Sequence, residues 1–170
     1  MRQSTARSTE NWMDRERAAH ARLYPNEVRV PADPYGPIAA ARREYLDRLV
    51  AQIRTRGRDP RVCLYALSVV EGQVPQASLD AAAVHAEQQS WQVLEGQSCT
   101  DPIGAIAIED RPGWHCVREL IRTGRADGVV VVTADIVSRD IDEYRSELVW
   151  FEEHLGFIAL VIPETVREQA

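Results

Sequence analysis

The sequence contains no lysine, only three cysteines and no long apolar run. All 20 basic residues are arginine, a bias typical of GC-rich, actinobacterial-type genomes. No segment approaches the roughly 18 consecutive apolar residues that a membrane span requires. The first 30 residues carry charged side chains where a secretion signal would be apolar. We therefore expect a cytoplasmic protein without a membrane span.

Cysteine and histidine are too scattered along the sequence to indicate a metal site. Cys63, Cys99 and Cys116 are odd in number and lack C-x-x-C spacing, which argues against both zinc and a disulfide framework. The four histidines form no H-x-x-x-H pair, and both glycine-rich phosphate-binding motifs are absent. The sequence thus predicts no metal and no cofactor, and Cys63 and Cys116 are expected to be small core residues.

Charge is distributed unevenly along the chain. Residues 1–60 carry 12 arginines and 8 acids, a net charge of +4, whereas residues 61–170 carry 8 arginines and 18 acids, a net charge of -10. Affinity for DNA comes largely from cations that displace condensed counterions. The acidic body therefore disfavours DNA binding unless its few arginines converge on one face.

Residues 1–58 have the pattern of a helical extension with a proline-rich connector. Near-helical spacing of apolar residues predicts a helix over Thr9–Leu23, and four prolines between positions 25 and 37 predict an extended linker. A second helix is expected from Pro37 to Gly57. Its apolar stripe consists of Tyr45, Leu46, Leu49, Val50 and Ile53. This stripe either packs on the domain that follows, which we favour, or forms an interaction surface.

From Arg61 onward strand-like and helix-like segments alternate. The predicted strands are Arg61–Leu67, Trp91–Leu94, Gly128–Ala134 and Phe157–Ile162, separated by helices beginning near Ser78, Pro112 and Asp140. Such alternation predicts that residues 59–170 form a doubly wound α/β domain with a mainly parallel, four- to five-stranded sheet. The expected strand order is about 2-1-3-4, so that the first and third strands flank the crevice where ligands collect.

The segment GVVVVTADIVSRD, residues 128–140, carries the strongest functional signal. A buried strand ends there in acid, hydroxyl and guanidinium side chains, which places Asp135, Ser138 and Arg139 at the predicted crevice. Asp135 and the acids at 140, 142 and 143 could instead hold Mg²⁺. Helix capping explains most of these acids without a metal, and we favour that interpretation.

Five segments, in order, resemble the catalytic domain of the serine recombinases, the resolvase/invertase group, across roughly residues 61–162. They are RVCLYALSVV, QASLDAAAVHAEQQSWQVLEGQSCTD, EDRPGW, VVVVTADIVSRD and HLGFIALV. The resemblance implies a serine that attacks a DNA phosphodiester and arginines that neutralise the transferring phosphoryl group. Tyr65, Arg111, Asp135, Ser138 and Arg139 match the family's motifs.

Three positions depart from the family's pattern. Leu67 and Val69 stand where the family has an arginine and the nucleophilic serine, and Ile136 replaces a second arginine. Aliphatic side chains can neither attack nor hold a phosphate. Ser68 lies one residue from the nucleophile position, but side chains alternate faces along a strand, so Ser68 is only a weak candidate.

These departures predict a degenerate serine-recombinase-like domain that is not an enzyme and acts as a protein-binding or regulatory module. Arg111, Asp135, Ser138 and Arg139 would then be relics of a phosphate site. The expected partner is another protein or a second copy of the chain, and DNA is possible by resemblance. Two alternatives remain open: residual DNA strand cleavage through Ser68, and a regulator that binds a small phosphate ligand in the crevice.

Overall fold

The computed structural model describes residues 18–19, 22–23, 33–104 and 107–164. In the unit that begins at Asp33, a four-stranded sheet forms the centre. The strands are β1 (Arg61–Ser68), β2 (Gln92–Pro102), β3 (Gly128–Val131) and β4 (Phe157–Leu160). All neighbouring strands are parallel and their order is β2-β1-β3-β4. The predicted fold class and strand order are confirmed. The predicted helix over Thr9–Leu23 lies mostly outside the described residues.

Helices cover both faces of this sheet. They are α1 (Tyr35–Thr55), α2 (Gln76–Gln88), α3 (Pro112–Arg122), the single turn α4 (Ala134–Val137) and α5 (Ile141–Glu153). Helices α3 and α5 pack on one face and α2 packs on the other. Along β1, Cys63 and Tyr65 point to the first face, whereas Val62, Leu64 and Ala66 point to the second. Burial on both faces explains the uninterrupted apolar strands. No helix in the described ranges is long and apolar enough to cross a bilayer.

The bounds of β2 and β3 differ from the sequence prediction. β2 extends to Pro102 rather than ending at Leu94, because it resumes pairing with β1 after a bulge between Val93 and Ser98. Gly96 adopts a φ of 68° in that bulge, a conformation that favours glycine. β3 ends at Val131, three residues earlier than predicted, and the chain then turns into α4. At this edge of the sheet β3 is therefore followed by a short helical turn, whereas β2 continues beside β1 to Pro102.

Helix α1 lies along the outer edge of β4. Its amino-terminal residues Tyr35 and Ile38 belong to the core under α3 and α5, whereas Leu49, Val50 and Ile53 belong to the core under α2. Midway along the helix, the Arg42 guanidinium donates to the carbonyl oxygen of Ile158 in β4 at 3.2 Å. The helix thus covers a strand edge that would otherwise present unpaired backbone groups.

Three buried polar side chains fasten α1 to this edge. Arg42 binds the Glu164 carboxylate in a bidentate pair, with nitrogen–oxygen distances of 2.5 and 2.9 Å. The Tyr144 hydroxyl in α5 donates to the same carboxylate at 2.7 Å. The three side chains join α1, α5 and the segment after β4, and every pair among them spans at least 20 positions of sequence.

Candidate active-site cleft

A cleft of about 510 Å³ opens at the carboxyl ends of β1 and β3. This is the position where parallel α/β sheets collect ligands. Seven of the residues singled out from the sequence line it: Leu67, Val69, Arg111, Asp135, Ile136, Ser138 and Arg139. The fold therefore brings four of the five matched positions and all three departing positions to one place, whereas the matched Tyr65 is buried and does not line the cleft.

Aliphatic side chains occupy the positions at which the resemblance implies chemistry. Leu67, Val69 and Ile136 all line the cleft, and Ile103 from the segment after β2 joins them. Val69 is 77% exposed, so the nucleophile position presents an isopropyl group to solvent. None of these side chains can donate a hydrogen bond or act as a nucleophile.

Ser68 does not line this cleft, although it is adjacent to Val69. Its side chain is buried, and its hydroxyl oxygen lies 2.6 Å from the carbonyl oxygen of Val70 and 2.5 Å from that of Gln73. The hydroxyl thus donates to the backbone of the loop that follows β1. The Ser68 carbonyl in turn accepts from the Ile103 N–H at 2.6 Å. Ser68 is part of the structure of the loop and is directed away from the cleft.

Arg111, at the amino terminus of α3, donates through Nη1 to the carbonyls of Ile136 and Val137, both at 2.9 Å. These carbonyls belong to the single turn α4, which is too short to satisfy them internally. The arginine that the resemblance assigns to phosphate binding therefore supports the backbone of the cleft wall.

A buried hydrogen-bond network lies beside the cleft. The Asp101 carboxylate accepts from the N–H groups of Gly113 and Trp114 at 2.8 and 2.9 Å, which satisfies the first turn of α3. The Tyr65 hydroxyl donates to the same carboxylate at 2.8 Å. Burial raises the pKa of Tyr65, and the neighbouring Asp101 raises it further. Sequence reasoning missed Asp101 because it precedes the helix that it caps by eleven residues.

The acids on the other side of the cleft serve the amino terminus of α5. Asp140 accepts from the N–H groups of Asp142 and Glu143 at 2.9 and 2.8 Å, which confirms the predicted cap. Ser138 is buried, donates to the Glu143 carboxylate and accepts from the Asp140 N–H at 3.1 Å. Within the described residues, no group of three or more histidine, cysteine or acidic side chains could hold a metal ion.

The remaining charged side chains do not make the cleft cationic. Arg139 and Asp135 are both exposed at its rim. The cleft is lined by two guanidinium groups, those of Arg111 and Arg139, and by three carboxylates, those of Asp135, Asp140 and Glu143. A dianionic phosphate would gain little binding energy in this cleft, because repulsion by the carboxylates offsets its attraction to the guanidinium groups.

Comparisons with known proteins identify the fold. Neither the protein-family models nor the curated proteins contain a match. Among solved structures, the N-terminal catalytic domain of TP901-1 integrase superposes with a TM-score of 0.50 at 23% identity, covering 59% of this chain and 76% of that one. The C-terminal catalytic domain of ISC1926 TnpA, an IS607-like serine recombinase, superposes with a TM-score of 0.52 at 17% identity, covering 61% and 69%. This chain has the resolvase-like α/β fold of serine recombinase catalytic domains.

Proposed function

We propose that this domain does not cleave DNA and that it acts as a protein-binding or regulatory module on a serine recombinase fold. The observation that carries the proposal is the lining of the cleft by Leu67, Val69 and Ile136. Phosphoryl transfer to a side chain needs a nucleophile and preorganised cationic donors, and loss of one such donor alone costs on the order of 100- to 1,000-fold in rate.

The state of Ser68 supports the same conclusion. To attack a phosphodiester, its hydroxyl would have to leave the carbonyls of Val70 and Gln73 and turn from a buried position into the cleft. Arg111 would also have to release the carbonyls of Ile136 and Val137. A residual recombinase would therefore require rearrangement of both walls of the cleft before any bond to phosphorus forms.

The surface around the cleft favours a protein partner over a phosphate backbone. Val69, Val70 and Ile103 are 77%, 51% and 48% exposed, so aliphatic groups border the cleft on the β1 side. On the other side, the Arg139 guanidinium is outnumbered by the carboxylates of Asp135, Asp140 and Glu143. A protein segment that carries an aliphatic side chain next to arginine or lysine complements both halves of this surface.

Incubation with supercoiled DNA, followed by denaturation, tests the absence of cleavage. We expect no nicked or linear product and no covalent protein–DNA adduct, and we expect Ser68→Ala to behave as the unmodified chain. An active serine recombinase on DNA that carries its own site serves as the positive control. An adduct that forms with the unmodified chain and disappears in Ser68→Ala would refute the proposal.

Selection from a random peptide library tests the partner chemistry. Peptides recovered on the domain are expected to combine aliphatic and cationic residues, and their binding should be lost in Val69→Asp. Val84→Asp is the matched control and should leave peptide binding unchanged, because Val84 is 51% exposed on α2 and does not line the cleft. Peptides that bind Val69→Asp as well as the unmodified chain would contradict the assignment of the surface.

A further inference from the structure

Two thiols from distant parts of the sequence meet between β2 and α3. The Cys99 thiol donates to the sulfur of Cys116 with an Sγ–Sγ distance of 2.9 Å, although the two residues are 17 positions apart. Cys99 is buried in the core under α3, whereas Cys116 is exposed to solvent. The expectation that Cys116 is a core residue is therefore wrong, because its position lies at the exposed border of the contact between α3 and β2. One sulfur is thus open to solutes and the other lies directly behind it.

The packing of α3 on β2 sets this distance. The first turn of α3 lies so close to β2 that a Cβ atom at Gly113 would stand 2.5 Å from the carbonyl oxygen of Thr100. The Asp101 carboxylate holds the same turn through the N–H groups of Gly113 and Trp114. Cys99 and Cys116 flank this contact on β2 and α3, so their sulfurs are held together by the fold.

We propose that Cys99 and Cys116 form a reversible intrachain disulfide when the protein meets a low-molecular-weight disulfide. Cys116 is the thiol that reacts first and Cys99 is the thiol that resolves the intermediate. This modification site is separate from the cleft and does not depend on the function proposed for it.

The reaction proceeds through two thiol–disulfide exchanges. The Cys116 thiolate attacks one sulfur of oxidised glutathione, a mixed disulfide forms and one glutathione thiolate leaves. The Cys99 sulfur then attacks Sγ of Cys116, the protein disulfide forms and the second glutathione leaves. Two cysteine thiols are oxidised, one oxidised glutathione is reduced to two thiols, and the two protons released by the cysteines are taken up by the glutathione thiolates.

The environments of the three cysteines explain this order of reaction. Burial raises the pKa of Cys99, and the adjacent Cys116 thiol raises it further, so Cys99 is a poor nucleophile toward a disulfide in solution and attacks only the disulfide that is held beside it. Burial likewise raises the pKa of Cys63, to about 12. Cys63 has no solvent exposure, and its sulfur lies 3.7 Å from the carbonyl oxygen of Gly128. Only Cys116 offers an accessible sulfur.

Little movement separates the reduced pair from a disulfide. A disulfide has a sulfur–sulfur distance of about 2.05 Å, so the two sulfurs must approach by less than about 1 Å. Rotation about the side-chain bonds of Cys116, which is on the surface of α3, can provide this shift. The bond would tie β2 to α3 at Cys116, five residues after Arg111, and so would stiffen the helix whose amino terminus forms one wall of the cleft.

Oxidation of the purified full chain by oxidised glutathione tests the proposal. Intact-mass measurement should show the loss of two hydrogens without a retained glutathione, and peptide mapping should link Cys99 to Cys116. Cys63→Ser is the matched control and should form the same link. Cys116→Ser changes an exposed residue and should abolish both the link and the glutathione adduct, and dithiothreitol should restore the starting mass of the unmodified chain.

Cys99→Ser provides the second measurement, because it removes the resolving thiol. This variant should stop at the mixed disulfide and retain one glutathione on Cys116, with circular dichroism confirming that it is folded. The proposal is overturned if the unmodified chain also stops at a stable glutathione adduct. It is equally overturned if the linked peptides contain Cys63, or if the products are disulfides between two chains.

Discussion

One segment that resembles an enzyme family's motif can be explained by local structure alone. It consists of Arg111, Pro112 and Gly113. Arg111 donates to two carbonyls of α4, Pro112 occupies the first position of α3, and Gly113 allows that helix to approach β2. Proline is favoured at this position because its missing N–H would have no intrahelical partner. Each residue therefore has a local structural explanation that does not depend on a role in phosphoryl transfer.

Substitution of Gly113 by alanine tests the close approach of α3 to β2. The added methyl group would meet the Thr100 carbonyl at 2.5 Å and the Asp101 carboxylate at 2.7 Å. We expect the free energy of unfolding to fall by about 1–3 kcal/mol, as for other overpacked sites, in a urea titration. Gly36→Ala is the control, because no atom lies within 4 Å of its added Cβ. Equal effects of the two substitutions would contradict the packing described for α3.

At the scale of elements, the contact of α1 with the edge of β4 depends on a buried charge pair. The side chains of Arg42 and Glu164 are 6% and 0% exposed, so both charges are buried. Burial alone would raise the pKa of Glu164, but the Arg42 guanidinium holds it below its ordinary value of 4.5. Burial also tends to lower the pKa of Arg42, and Glu164 outweighs this effect and raises it. The pair is stable because each partner keeps the other charged.

Removal of one partner should therefore lower the free energy of unfolding more than removal of both charges does. Arg42→Met leaves the Glu164 carboxylate buried without its cation, which typically costs about 3–5 kcal/mol of stability. The double variant Arg42→Met/Glu164→Gln removes the charge and keeps an acceptor for the Tyr144 hydroxyl, so it should be more stable than Arg42→Met. Urea unfolding of the three proteins measures the difference. If the double variant were less stable than Arg42→Met, the unpaired charge of Glu164 would not be what destabilises Arg42→Met.

The pH dependence of stability should report the same pair. The pKa of Glu164 is lower in the folded chain than the ordinary value of 4.5, so the unfolded chain takes up the proton first. The contribution of the pair is complete above about pH 4.5 and is lost as the pH falls through the folded pKa. In Arg42→Met, protonation instead relieves the buried charge. The difference in melting temperature between this variant and the unmodified chain should narrow on acidification, and a constant difference would contradict the assignment.

Elements with strong apolar patterns could be predicted from the sequence, whereas those made by long-range contacts could not. The starts of β1, β3 and β4 follow directly from apolar runs, and Pro112 and Asp140 mark the starts of two helices. The carboxyl half of β2 is polar and half-exposed, so its pairing with β1 has no local signal. The Cys99–Cys116 contact was missed for the same reason, since sequence spacing does not show that α3 returns over β2.

At the scale of the whole molecule, arginines also gather at the amino end of the sheet. Arg56, Arg58, Arg61 and Arg122 line a second cavity of about 280 Å³ there. Two carboxylates offset part of this charge, because Arg58 and Arg61 lie 2.6 and 3.5 Å from the Asp127 carboxylate and Arg122 pairs with Glu119. Two of these four arginines belong to residues 1–60, and the body's Arg111 and Arg139 lie in the cleft at the opposite end of the sheet, so the described arginines of the body do not converge on one face.

Truncation tests whether α1 is required by the α/β unit, which begins at Asp33. A chain that starts at Asp33 retains α1, whereas a chain that starts at Asp59 lacks it and exposes the β4 edge together with Glu164. We expect the first to unfold cooperatively and the second to aggregate or to lose its thermal transition. Circular dichroism and size-exclusion chromatography measure both outcomes. Equal melting temperatures for the two chains would show that α1 contributes nothing to stability.

The position of α1 along the edge of β4 also has a consequence for the order of events during synthesis. Arg42 reaches its partners Ile158 and Glu164 across 116 and 122 positions of sequence, so the helix is made long before its binding surface exists. At roughly 5–20 residues per second, the ribosome needs on the order of 6–24 seconds to synthesise the chain between Arg42 and Glu164. For that time Leu49, Val50 and Ile53 have no complete core to enter, and a nascent chain of this protein presents an apolar helix to chaperones.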